Sequence, residues 1–140
     1  MSEDTLPEGY RPSEDEEFMN PVMLAYFKQK LLDWKDELLR ESSETLRGLQ
    51  TDGGTQEPDI ADRASVETDR ALELRTRDRE RKLISKIDAA LARIADRSYG
   101  YCEETGEPIS LRRLEARPIA TLSLEAQERH ERDERTRRDD

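Results

Sequence analysis

Apolar side chains recur at helical spacing in two stretches of this sequence. In the first, Leu24, Phe27, Leu31, Trp34 and Leu38 step alternately by three and four, and Leu46 and Leu49 resume the stripe after Glu41 to Thr45. Asn20 followed by Pro21 reads as a helix start, an N-cap with proline in the first turn. The second stretch, Asp62 to Arg97, contains neither Gly nor Pro, and its main apolar positions are Ala71, Leu72 and Leu74, then Leu83, Ile84, Ile87, Ala90, Leu91 and Ile94. Ile84, Ile87, Leu91 and Ile94 have the a/d spacing that lets one helix lie along another. Nothing apolar falls between Arg75 and Lys82, so the predicted seam has a charged interruption. A helix begun at Asp59, just after Pro58, would run about 58 Å at roughly 1.5 Å per residue. Between the two helices, Asp52 to Pro58 holds two glycines and a proline, a loop signal. Helices joined by a short loop run antiparallel, which puts this loop at the far tip of a hairpin.

Beyond Arg97, Ser98 to Pro118 carries two glycines, two prolines and a short predicted helix from Ser110 to Ala116, the pattern of a compact lobe. Leu122 to Arg138, rich in Glu and Arg at i,i+3 and i,i+4 spacing, predicts a last helix with a frayed end. Met1 to Glu17 has two prolines, a glycine and no apolar period, and is predicted to be disordered. The expected fold is all-α, with an acidic tail (1–17), a coiled-coil hairpin (18–97, tip loop about 52–61), a small lobe (98–121) and a C-terminal helix (122–140).

Composition narrows the function. At 41% charged and 33% hydrophobic, 140 residues can cover a narrow helical seam but not fill a wide core. No stretch approaches the roughly 20 apolar residues of a membrane span, and the N-terminus lacks a signal core, so a cytoplasmic protein is expected. A formal net charge of -10 argues against general binding to duplex nucleic acid. Yet residues 1–17 hold seven acids against Arg11, whereas residues 62–97 hold eight acids against ten bases, so the long helix is net positive. His130 reads as a solvated surface side chain, and the lone Cys102 excludes an intramolecular disulfide.

Asp59 and Asp62, with Ala64 just beyond, stand at the start of the long helix. Carboxylates there can simply cap free N–H groups and oppose the helix dipole, for roughly 0.5–2 kcal/mol. They would also sit at the extreme tip, where a carboxylate can reach into a partner's cavity. Catalysis is disfavoured, because a bare hairpin tip supplies no desolvated pocket to tune a carboxylate.

The run Leu72 to Ile84 (LELRTRDRERKLI), the YGYC run Tyr99 to Cys102, and RRLEARP, Arg112 to Pro118, resemble the DksA/TraR family of bacterial transcription factors, over roughly residues 17–127. The family's lobe holds a structural zinc on two C-x2-C pairs. The four matching positions here are Cys102, Thr105, Ser123 and Ala126, a degenerate zinc-finger-like set with a single thiol. Thr, Ser and Ala are not zinc ligands in such sites, so no zinc is expected and the lobe must hold by packing. Tyr99, Tyr101, Ile109, Leu111, Leu114, Ile119 and Leu122 are the candidates, with Cys102 as a small inert filler rather than a redox sensor.

The resemblance implies a non-enzymatic, monomeric factor that binds RNA polymerase rather than DNA, inserts its coiled-coil tip into the secondary channel, and acts with the alarmone ppGpp on initiation. The family's tip residues match Asp59, Asp62 and Ala64; its ppGpp-binding residues match Arg79, Leu83, Lys86 and Arg117. A lysine that often follows the last zinc ligand is Gln127 here, one cation fewer for a phosphate. Two other classes share features: a coiled-coil adaptor for another protein, and a Gre-like cleavage factor whose tip acids hold a catalytic metal.

Overall fold

A computed structural model describes the backbone over residues 6–52 and 60–139, and side chains over 6–44 and 65–137. It contains four helices, α1 (Pro21–Asp52), α2 (Ile60–Asp96), α3 (Leu111–Ala116) and α4 (Leu124–Asp139). The chain falls into two compact units, Met1–Leu31 with Ala89–Asp140, and Leu32–Asp88. The start of α1 and the end of α2 share the first unit, and their remaining parts share the second, as an antiparallel pair requires. Most of the predicted tip loop, Asp59 included, and the side chains of Leu46 and Leu49 lie outside the described residues.

α1 starts where Asn20 and Pro21 predict. The Asn20 side-chain oxygen accepts from the Met23 N–H at 2.9 Å, satisfying a donor that the helix itself cannot. α2 ends at Asp96 with Arg97 in the left-handed region (φ 68°), which turns the Ser98 N–H back to the Arg93 carbonyl at 2.9 Å. The Ser98 hydroxyl and N–H both donate to the Asp96 carboxylate, and these bonds hold that carboxyl below its usual range.

The first unit carries the lobe. Met23, Phe27 and Leu31 of α1 and Ala90 of α2 are buried in it, as are Tyr99, Cys102, Ile109, Leu111, Leu114, Ile119, Ala120 and Ala126. The Tyr99 hydroxyl donates to the Pro118 carbonyl at 2.7 Å, and its ring lies 5.6 Å from that of Phe27. Burial drives the Tyr99 phenol far above its usual range, so it stays a neutral donor. Two expected core members differ: Tyr101 is exposed and Leu122 half-buried. Tyr101 sits in an isolated bridge with Pro108 and turns its ring outward to meet Phe18 edge-on at 5.3 Å.

Within the tail (1–17) read as disordered, residues 6–17 make contacts of their own. Tyr10 stacks on Tyr26 of α1 at 5.9 Å and donates its hydroxyl to Glu16 at 2.7 Å; burial, then that carboxylate, pushes its phenol up to about 12. Tyr26 in turn donates to Glu115, which also pairs with Lys30 at 3.0 Å. Composition gives no sign of these contacts because their aromatic anchor is the single Tyr10 rather than a periodic stripe.

In the second unit Leu38 and Ile87 are buried and Lys35 pairs with Asp88 at 2.7 Å. The charged interruption is mostly solvated, as its composition implies, but Glu80 within it is only 7% exposed and Arg77 is half-buried. Conversely Leu72 and Leu74, counted among the apolar positions, are 52% and 50% exposed. The helical phase set by Ile87 explains both: it turns position 80 inward and positions 72 and 74 outward.

Gly100, at φ 94°, gives the tightest test of the lobe. A Cβ there would lie 3.0 Å from the Met19 methyl carbon and 3.2 Å from the Phe18 ring. Gly100→Ala is expected to cost about 1–3 kcal/mol, seen as a thermal midpoint lowered by several degrees. A midpoint within about a degree of wild type would show that this approach is loose.

Candidate functional site

Arg79, Leu83 and Lys86 are spaced by four and three on α2, which puts them on one helix face in the second unit. Arg79 and Lys86 are exposed and Leu83 is half-buried. Among the described residues neither cation forms an ion pair, so both are free to meet an anion from outside. Arg117, also exposed, belongs to the first unit, where it ends α3 with its N–H on the Arg113 carbonyl at 2.7 Å. Gln127 is half-buried on α4, its amide donating to Glu131 at 3.3 Å. Asp62 and Ala64 fall in the first turns of α2, but their side chains, like all of Asp59, lie outside the described residues.

The positions matching the zinc ligands are occupied otherwise. Ser123 caps α4: its hydroxyl accepts from the Ala126 N–H at 3.2 Å, and its carbonyl accepts from the Gln127 N–H at 2.9 Å. The Thr105 hydroxyl accepts from the Glu107 N–H at 3.2 Å, and the Ala126 methyl is fully buried. One thiol, two engaged hydroxyls and a methyl do not make the donor set of a tetrahedral zinc site.

Cys102 is buried, as expected of a filler. It is 2% exposed, and burial alone would raise its thiol pKa. Donation from the Thr105 hydroxyl and from the backbone N–H groups of Ser123, Thr105 and Glu104 outweighs burial and brings the pKa down to about 6. Sequence reading missed this, because donors from backbone turns leave no residue signature. It also missed the Ser123 cap, for which a serine just before the Leu124 helix was a usable signal. His130, read as simply solvated, is half-exposed and paired with Glu104, which Arg129 also approaches at 3.8 Å.

Comparison with known proteins places these features. Residues 23–94 match the family described as DnaK suppressor protein DksA, N-terminal domain, and residues 97–132 match the prokaryotic dksA/traR C4-type zinc finger. The chain belongs to the DksA family. It is 72% identical over 131 residues to the RNA polymerase-binding transcription factor DksA of Caulobacter vibrioides, covering 94% of this chain and 92% of that protein. Against the DksA of Escherichia coli the identity is 45% over 118 residues, covering 84% and 78%. The solved structure of transcription factor DksA2 from Pseudomonas aeruginosa superposes with a TM-score of 0.79 at 42% identity, covering 84% of this chain and 90% of that one. The fold is thus the DksA coiled-coil fold, although the match to a C4-type finger extends over a lobe that keeps one of four cysteines.

Thr105→Val removes the strongest of the donors to the Cys102 sulfur and should move the thiol pKa up from about 6 towards its ordinary value. Val also deletes the Glu107 N–H contact at every pH. Because a depressed pKa stabilises the fold at high pH and is lost as pH falls through the folded value, the variant's loss of stability should grow as pH rises above about 6 and stay at a smaller constant level below it. Thiolate absorbance against pH, with melts at both ends of the range, would show this; an unmoved midpoint refutes the donor's role.

Proposed function

We propose that this protein is a DksA-type transcription factor that binds RNA polymerase directly in the cytoplasm, inserts the hairpin tip into the secondary channel towards the active centre, and acts with ppGpp on initiation. The observation that carries the reading is the 72% identity, across nearly the whole chain, to an RNA polymerase-binding transcription factor. Asp59, Asp62 and Ala64 are the tip residues that would act at the active centre. Arg79, Leu83, Lys86 and Arg117 are the residues that would meet ppGpp, the cations pairing with its phosphates and Leu83 packing against its body. No enzymatic chemistry belongs to this reading. The protein works as a monomer whose hairpin buries its own seam, and it makes no sequence-specific DNA contacts.

The lobe, in the same reading, folds without zinc. Elemental analysis of the purified chain should find far less than one zinc per molecule, and EDTA should leave the melt unchanged. Stoichiometric zinc would overturn this.

Multi-round transcription from a ribosomal promoter, run beside a competition assay for polymerase binding, tests the tip and the alarmone site together. Asp59→Asn with Asp62→Asn should stay folded, since Asn also caps helices, and stay bound, yet lose regulation. Lys86→Ala and Arg117→Ala should blunt the response to added ppGpp more than they weaken binding. A tip variant that regulates like wild type would reduce the two aspartates to helix caps.

A further inference from the structure

Four consecutive seam positions of α2 are charged. Counting back from the fully buried Ile87 by three and four gives Ile84, Glu80, Arg77, Glu73 and Arg70. Burial follows this count: Glu80 is 7% exposed, and Ile84, Arg77, Glu73 and Arg70 are half-buried. The residues between them are exposed except Leu83, and they include Leu72 and Leu74 on either side of Glu73. This stretch of helix is inside out, with its leucines in water and its charges in the seam.

The charges are also poorly satisfied. Arg70 Nε, Arg77 Nε and Glu80 Oε2 are cut off from water and have no hydrogen-bond partner among the described residues. Counted in an antiparallel register from the Lys35–Asp88 pair, Glu80 falls about level with residues 42 and 43, where α1 carries serines and no cation. A buried polar atom without a partner regains hydration when the structure around it opens, so here opening recovers free energy that an apolar seam would lose.

We propose that this part of the second unit is a built-in opening point. The two helices separate locally around Glu80 in the native protein while the apolar seam at Leu38 and Ile87 stays closed. The open state presents Arg70, Arg77 and Glu80 beside Leu72 and Leu74, a mixed charged and apolar surface that the closed state hides in part.

Native-state hydrogen exchange on the full-length protein tests this. Amides of Arg70–Glu80 should exchange about tenfold faster or more than those of Ile84–Ala90 on the same helix. Glu80→Leu, which replaces the carboxylate whose buried Oε2 lacks a partner with an apolar side chain, should slow exchange over Arg70–Glu80 about tenfold or more. Arg77→Leu is carried as a second variant with the same expectation, so that poor folding of one protein still leaves a decision. Equal protection of the two segments in wild type overturns the proposal. So does a folded variant whose exchange over Arg70–Glu80 is unchanged or faster; simple fraying from the start of α2 would give that result.

Discussion

The lobe hangs on the phenol of Tyr99. Its ring packs beside Phe27 of α1 and its hydroxyl reaches the Pro118 carbonyl, so one side chain joins the first helix, the exit from α2 and the segment after α3. Burying a ring of about 150–250 Å2 removes enough apolar surface to matter in a unit this small, and the hydrogen bond means that neither the phenol nor the carbonyl is left unpaired away from water. The remainder of the lobe follows from that fixed point. Gly100 lets the chain turn directly after it, Ile109 returns its N–H to the Gly100 carbonyl at 2.7 Å, and Leu111 and Leu114 close from α3.

With one cysteine among the four matching positions, packing and caps act at the other three. Position 126 gives a buried methyl, position 123 starts a helix, and position 105 orders its own turn while donating to the sulfur. A cap or hydrogen bond of this kind is worth about 1 kcal/mol. The aromatic contacts of Tyr10 and Phe18 add further anchors from the N-terminal segment. The turn that favours a thiolate at Cys102 is the same one that satisfies the backbone there, which is why a low thiol pKa and deep burial coexist.

The helices were legible because each carries its own signal: the 3–4 stripe from Leu24 to Leu38, the cap at Asn20, and the Ile84–Ile94 spacing. The lobe's core was largely legible too, since few apolar residues were available to fill it. What escaped was long-range or arithmetical. Tyr10 against Tyr26 joins residues in different segments and has no period. The inward turn of Glu80 follows from counting the seam through a stretch whose composition looks solvated. The proposed site residues on α2 were reached through the family resemblance, since a spaced pair of cations on a charged helix has no distinguishing pattern of its own. The donors around Cys102 are backbone groups, invisible in any residue list.

One relation ties the seam to the proposed phosphate-binding face. Arg79, Leu83 and Lys86 each precede a seam residue, Glu80, Ile84 and Ile87, by one position. At about 3.6 residues per turn, that sets the face about 100° around the helix from the seam. The two are locked in phase along two turns, so the packing of Ile87 decides where Lys86 points. Arg79 directly precedes Glu80 in the chain, so its direction depends on the turn that carries Glu80. A helix pair that opens around Glu80 would leave Lys86 anchored through Ile87 while freeing Arg79 to move, giving one end of the face a fixed cation and the other an adjustable one.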